Sequence, residues 1–279
     1  MQGAVGLLAG EGRLPEVLAR AVRARGRPLV CVQMAGQTPV LERLANVFAR
    51  LAPEQWGELE ALWLRHAVSE VLLAGRFRRA EMVARLLAAG SDLRGFLQGL
   101  PERGDQQVLD ALARRLATQG IRVLDQLAYI PDLVPPPGLL AGPPLTPGEE
   151  RDVRIGLAVG RALAAHEVGQ TVVLKHGAIL AVEAAEGTDE AIRRGTAMVP
   201  GAVVVKVSRP QQDPRFDLPT VGPETVEAMR QGRARVLAVE ARRTIVLERP
   251  RLAARAEEAG ISVFAVEAPP LRPQPAKAP

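Results

Sequence analysis

Apolar residues along this chain gather in short runs rich in β-branched side chains, separated by stretches in which they recur every three or four positions. In the first half, 4–9 and 28–34 read as strands and 15–25 between them as a helix. A helical tract over 54–66 leads to a strand at 71–74. Val108, Leu109, Leu112 and Leu116 then stand at helical spacing within 105–119, ahead of a strand at 121–124. Strands separated by helices predict a parallel sheet with right-handed crossovers.

The pattern changes after Pro131. Residues 133–148 carry no charge and are interrupted by Pro135, Pro136, Pro137, Pro143, Pro144 and Pro147, so they read as a linker between two domains, 1–132 and 149–268. A helix is expected from near Glu149 to His166, with Glu149, Glu150 and Asp152 at the positive end of its dipole. Runs at 171–174 and 178–183, joined through Lys175, His176 and Gly177, predict a hairpin. A second hairpin is expected around 241–243, between 236–240 and 244–247. The proline-rich tail, 269–279, reads as disordered. Length supports two domains, and 47% apolar residues supply a core for each, giving an α/β class overall.

Composition narrows the partners. The net charge of +5 suggests nucleic acid, but every cation other than Lys175, Lys206 and Lys277 is an arginine, spread along the chain and mixed with 31 acids. With 3% aromatics there is no basic stripe bearing stacking platforms, so nucleic acid is not an expected partner. Cys31, the single cysteine, sits in the apolar run 29–32 and is expected as a buried strand residue of a cytoplasmic protein. The first ten residues lack a basic start and run on to Glu11, unlike a signal peptide, and no uncharged apolar run reaches membrane-spanning length.

Candidate chemistry concentrates in the loop that follows the apolar run 202–205. Pro210, Pro214, Pro219 and Pro223 stiffen it, and it carries Asp213, Arg215 and Asp217 at alternate positions with Lys206, Arg209 and Gln212 close by. Carboxylates and cations together suit a phosphate ester and a hard metal ion; the plainer reading is a surface loop with a local arginine–carboxylate pair. Gly10 and Gly12 lie in a turn that follows the first strand and opens the first helix, where backbone amides can face a phosphate. The third glycine of a dinucleotide fingerprint is absent and no acid ends the second strand, at Gln33, Met34 and Ala35, so a nicotinamide cofactor is not expected. Structurally the same turn is a tight entry to a helix with Pro15 at its first position. Thr188 or Asp189 can cap a helix after the strand ending at Glu183, which leaves Glu183 and Glu186 to complete a charged pocket. His66, His166 and His176 share no ligand spacing, so any metal is expected to be oxygen-bound, Mg²⁺ or Mn²⁺.

Taken together, the segments 9–15, 169–175, 180–189 and 212–222 resemble the LpxI family of UDP-2,3-diacylglucosamine pyrophosphatases, over about 5–266. The resemblance implies a Rossmann-like parallel-sheet amino-terminal domain, a separate α/β carboxy-terminal domain with hairpins, and a homodimer that exchanges parts between subunits. The implied reaction is hydrolysis of UDP-2,3-diacylglucosamine to UMP and 2,3-diacylglucosamine 1-phosphate (lipid X) in lipid A biosynthesis, in the cytoplasm with peripheral contact at the inner membrane. The family's essential aspartate falls on Asp217, an acidic family position on Asp213 and the preceding lysine on Lys206. On this reading Asp213 and Asp217 hold Mg²⁺ or Mn²⁺, Lys206 and Arg215 meet the phosphates, Gly10 and Gly12 meet the nucleotide, and Gln212, Thr188 and Glu186 complete the substrate site. Residues 37–68 carry no family motif. Two other functions fit the same residues: a sugar-nucleotide or lipid-phosphate binding protein without turnover, and a hydrolase of another nucleoside diphosphate.

Overall fold

The computed structural model describes residues 3–77, 105–210, 212–216 and 218–267. It is a two-domain α/β protein whose chain divides into two compact units, one of Met1–Pro131 with Asp213–Asp217 and the other of Asp132–Gln212 with Leu218–Pro279.

The first unit is built on a five-stranded parallel sheet. Its strands are β1 (Ala4–Ala9), β2 (Leu29–Gln33), β3 (Val47–Arg50), β4 (Val68–Ala74) and β5 (Arg122–Val123), in spatial order β3-β2-β1-β4-β5. β1 pairs with both neighbours, Leu7 opposite Cys31 on one side and Leu72 on the other, and all of β2 is buried, as a strand covered on both faces requires. Helices α1 (Leu14–Ala24), α2 (Pro39–Leu44), α3 (Trp56–Arg65) and α4 (Asp105–Thr118) flank the sheet in sequence. Trp56, Leu59 and Trp63 of α3 and Leu112 and Leu116 of α4 share a core with Leu8, Val32, Val71 and Phe216, the last contributed by the 213–217 segment. Cys31 is buried, as expected, and burial pushes its thiol up to about 12, which keeps it an inert packing group. The 37–50 stretch, unread from the sequence, supplies α2 and β3; both are short, four to six residues, below the length at which periodicity speaks.

The second unit carries a six-stranded mixed sheet in the spatial order β6 (Gly138–Ala141), β13 (Ser262–Val266), β11 (Val236–Glu240), β9 (Val203–Lys206), β7 (Thr171–Lys175) and β8 (Ala178–Val182). Here β9, β11 and β13 run parallel, and β7 and β8 form the expected hairpin, with β7 antiparallel to β9. Alternation along these strands sorts two cores. Val172, Leu174, Val203, Val205, Val236 and Ala238 face one way with Val153 and Leu157 of α5 (Pro147–Ala165). Val173, Val204, Leu237, Val239, Val263 and Ala265 face the other way with Ile192 of α6 (Thr188–Thr196), Val226 and Met229 of α7 (Pro223–Gln231), and Leu252 and Ala256 of α8 (Arg249–Glu258). Gly156 lets α5 approach closely: a Cβ there would stand 2.5 Å from a Val205 methyl. Thr146 caps the same helix reciprocally, its Oγ1 accepting from the Glu149 amide at 3.3 Å while Glu149 Oε2 accepts from the Thr146 amide at 2.7 Å.

Two expectations change. The proline-rich stretch read as a linker contains β6 (Gly138–Ala141), antiparallel to β13 at the sheet edge; prolines flank it on both sides, and only an edge strand, which leaves one side unpaired, tolerates that setting. The second hairpin does not form. Both edges of β11 are taken by β9 and β13, so β12 (Ile245–Val246) pairs instead with β10 (Thr220–Val221) in a separate two-stranded parallel sheet.

Candidate functional site

In the second unit, a polar network sits at the carboxy-terminal end of β9. Lys206, the last residue of that strand, follows three buried valines, and its own side chain is nearly enclosed, at 9% exposure. An enclosed ammonium needs acceptors. Its Nζ donates to Thr188 Oγ1 at 2.8 Å, and Thr188 Oγ1 donates to Glu183 Oε1 at 3.0 Å. Thr188 is the first residue of α6, so the network lies at the positive end of that helix. The other carboxylate oxygen of Glu183 accepts from the Gln170 amide at 3.3 Å, and Gln170 Nε2 donates to Gln212 Oε1 at 3.1 Å and to the Val207 carbonyl at 3.2 Å. Among the described residues the Lys206 ammonium is answered by the Thr188 hydroxyl, and a cation held through a hydroxyl keeps an electrostatic pull available to an arriving anion.

In the first unit, Asp213 and Arg215 face each other. Arg215 Nη2 donates to Asp213 Oδ2 at 2.6 Å, Nε reaches both Asp213 oxygens at 3.0 Å, and the Arg215 amide donates to Oδ1 at 2.9 Å. Burial disfavours the Asp213 carboxylate, but the guanidinium and amide hydrogen bonds and the cation's charge outweigh it, and the pKa falls below the ordinary value. Arg215 Nη2 also lies 3.7 Å from Asp110 Oδ1, and the guanidinium sits 5.0 Å from the Phe216 ring centre. Asp217 lies outside the described residues.

The glycine turn is held by backbone pairing. The Gly10 amide donates to Ala74 O at 2.8 Å, and Glu11 and Arg76 exchange both backbone hydrogen bonds at 2.9 Å. Gly75 sits at φ +92, and a Cβ there would meet Glu11 O at 2.7 Å; a Cβ on Gly10 would meet Arg76 O at 2.6 Å. Gly12, at φ +97, is different, since nothing lies within 4 Å of where its Cβ would stand.

Among the expected site residues, the second unit thus joins Lys206, Thr188 and Gln212 in one network, and the first unit pairs Asp213 with Arg215 and holds Gly10 and Gly12 in one turn. Glu186 turns aside: its Oε1 accepts from Arg194 Nη2 at 2.7 Å, and its pKa is lowered by a backbone amide and by that arginine. Sequence reading did not give Gln170 a role, although it stands immediately ahead of β7, whose first residue, Thr171, is also polar. Glu240, the acid that ends β11, was read only as a strand residue. Among the described residues no group of three or more His, Cys, Asp or Glu side chains is placed to hold a metal.

The fold and these residues define a two-domain α/β protein with an enclosed lysine at a sheet's carboxy-terminal edge, a place where such folds bind anionic ligands. Family comparisons name it: residues 4–133 match the LpxI N-terminal domain and residues 136–264 the LpxI C-terminal domain, and the chain belongs to the LpxI family. A relative from Caulobacter vibrioides (strain ATCC 19089 / CIP 103742 / CB 15), UDP-2,3-diacylglucosamine pyrophosphatase LpxI, is 30% identical over 94% of this chain and 97% of its own. Solved structures give weaker likenesses. A nucleoside-diphosphate-sugar epimerase from Pseudomonas aeruginosa is 16% identical over 95% of this chain and 88% of its own, with a TM-score of 0.28. UDP-glucose-4-epimerase from Stenotrophomonas maltophila is 20% identical over 42% and 34%, with a TM-score of 0.27.

Proposed function

We propose that this chain hydrolyses the pyrophosphate of UDP-2,3-diacylglucosamine, releasing UMP and 2,3-diacylglucosamine 1-phosphate, in lipid A biosynthesis. The observation that carries the reading is the match to both LpxI domains along almost the whole chain, together with the Caulobacter pyrophosphatase of the same length class. Its local support is the Lys206 network, which offers an anion an enclosed ammonium beside a helix amino terminus. Water adds across the P–O–P bridge, so one P–O bond forms, one breaks, and each product leaves as a phosphate monoester. Catalysis of such a transfer is mainly positioning and charge stabilisation. In this reading Lys206 holds a non-bridging oxygen, Thr188 keeps the ammonium in place while its own proton goes to Glu183, and Gln212 orients the same group; the family resemblance assigns Arg215 to the developing phosphate charge and Asp217 to the proton of the attacking water. Gly12, with open space beside it, is the point of the turn that meets the nucleotide, whereas Gly10 is fixed by packing.

A divalent cation, Mg²⁺ or Mn²⁺, belongs to the same proposal, but Asp213 does not fit it as a direct ligand. Both of its oxygens are held by Arg215, an arrangement that satisfies the carboxylate without a metal. A diacylated substrate implies peripheral contact with membrane lipid, and a homodimer in the cytoplasm completes the reading; among the described residues no helix is long and apolar enough to cross a membrane. The test is UMP release from UDP-2,3-diacylglucosamine by the purified chain, with and without EDTA. Mg²⁺-dependent stoichiometric release is expected. Tight binding without turnover makes it a binding protein, and turnover of UDP-glucose at the same rate makes it a general nucleotide-sugar hydrolase.

A further inference from the structure

Directly behind the Lys206 network lies a second charged group that the proposed chemistry does not use. Glu240 ends β11 fully buried, and its Oε1 accepts from Arg161 Nε of α5 at 2.5 Å, with the arginine side chain only 10% exposed. Its other oxygen, Oε2, accepts from the backbone amide of Ser208 at 2.9 Å. Ser208 is itself buried, and its hydroxyl donates to the Arg243 carbonyl at 3.2 Å. The next residue towards the strand, Val207, is gripped from the other side: its amide donates to Gln170 O at 2.8 Å and its carbonyl accepts from Gln170 Nε2 at 3.2 Å.

A buried ion pair is weak support for stability, because removing two charges from water costs about as much as their attraction returns. What this pair does have is a third partner with a fixed place: the backbone amide two residues past Lys206. The strand β9 ends at Lys206 and Gln170 carries the pairing on to Val207; one residue further, the Ser208 amide is held by Glu240. Lys206 itself is held in the sheet between Thr171 and Val239, so the path of 207 and 208 sets the course of the chain that leads on to Gln212.

We infer that Glu240, oriented by Arg161, is a positioning residue for the phosphate-binding loop: it latches the Ser208 amide and so fixes the course of the chain that runs on from Lys206 to Gln212. The inference rests on the hydrolase reading. Misplacing a catalytic group by about 1 Å costs on the order of a hundredfold in rate, so the latch matters to turnover more than to folding.

The experiment is the apolar replacement Arg161→Met with Glu240→Leu, assayed against wild type for kcat, KM and melting temperature on UDP-2,3-diacylglucosamine. A folded double variant with a melting temperature within about 3 °C of wild type, kcat lower by about ten- to a hundredfold and KM changed less than about threefold is the expected result. A folded variant with wild-type kcat, or a loss confined to KM, overturns the inference. Amide hydrogen exchange on the wild-type protein decides the matter if the double variant does not fold: Ser208 protected to the order of Val205 supports the latch, and exchange at the rate of an open loop removes it. Failure of wild type to release UMP is a separate outcome that strikes the hydrolase reading, and the exchange measurement stands without it.

Discussion

The carboxy-terminal strand ends of the two sheets use their polar groups in opposite ways. At β1 of the first unit, the Gly10 and Glu11 amides are engaged by carbonyls of 74 and 76, and side-chain-free residues allow the two loops to touch. At β9 of the second unit, the strand ends on a lysine that donates to a hydroxyl, which is held in turn by a carboxylate linked through Gln170 to Gln212. A glycine-rich turn after a strand is therefore not by itself a phosphate site: what distinguishes the second strand end is a charge kept under cover with adjustable partners.

The largest effect is expected from Asp217→Asn. The substitution keeps size while removing the base, and turnover should fall by about 10²–10⁴-fold with circular dichroism and melting unchanged. A near wild-type rate in the folded variant would make Asp217 structural. Lys206→Met preserves the apolar stem and removes the ammonium, so kcat/KM should drop by about a hundredfold. Thr188→Val, which breaks the hydroxyl bridge between Lys206 and Glu183, is expected to cost about tenfold, as loss of one charge-assisted hydrogen bond does. If Thr188→Val matches Lys206→Met, the threonine binds the phosphate itself.

The contrasting strand end should respond in stability. Gly75→Ala places a Cβ 2.7 Å from Glu11 O at a positive φ, so the protein should lose about 2–3 kcal/mol, read by denaturant melting. An unchanged melting midpoint would show that the loops part easily. The smallest effect concerns Asp213. Its folded pKa lies below the ordinary 3.8, so its pairing with Arg215 contributes stability above that value and loses it as pH falls through the lower folded pKa. Melting temperature followed from pH 5 down to about 2 should therefore fall less in Asp213→Asn than in wild type.

Much of the fold was legible because it rests on local patterns. Runs such as 29–32 and 202–205 are apolar and rich in β-branched residues, whereas the capping box of Thr146 and Glu149 was left inside the linker, so the helix expected from near Glu149 starts two residues earlier, at Pro147. β6 was hidden by its prolines, and β12 by the assumption that neighbours in sequence pair, which fails when both edges of β11 are already filled. Of the candidate site, Lys206, Thr188 and Gln212 were named before their network was visible. Glu240 was not, because a strand-ending acid gives no sign in the sequence of which distant amide and arginine it will meet. Asp213 was read as a metal ligand from residue type, and only the geometry shows Arg215 occupying both oxygens.

Steady-state release of UMP from UDP-2,3-diacylglucosamine, with wild type and Lys206→Met measured side by side, bears most directly on the claim that the reacting pyrophosphate is held at the Lys206 end of β9. The expected result is UMP and 2,3-diacylglucosamine 1-phosphate in equal amounts from wild type, with kcat/KM lower by about a hundredfold in the folded variant. A wild-type protein that releases no UMP, or a Lys206→Met variant that hydrolyses the substrate unimpaired, contradicts it.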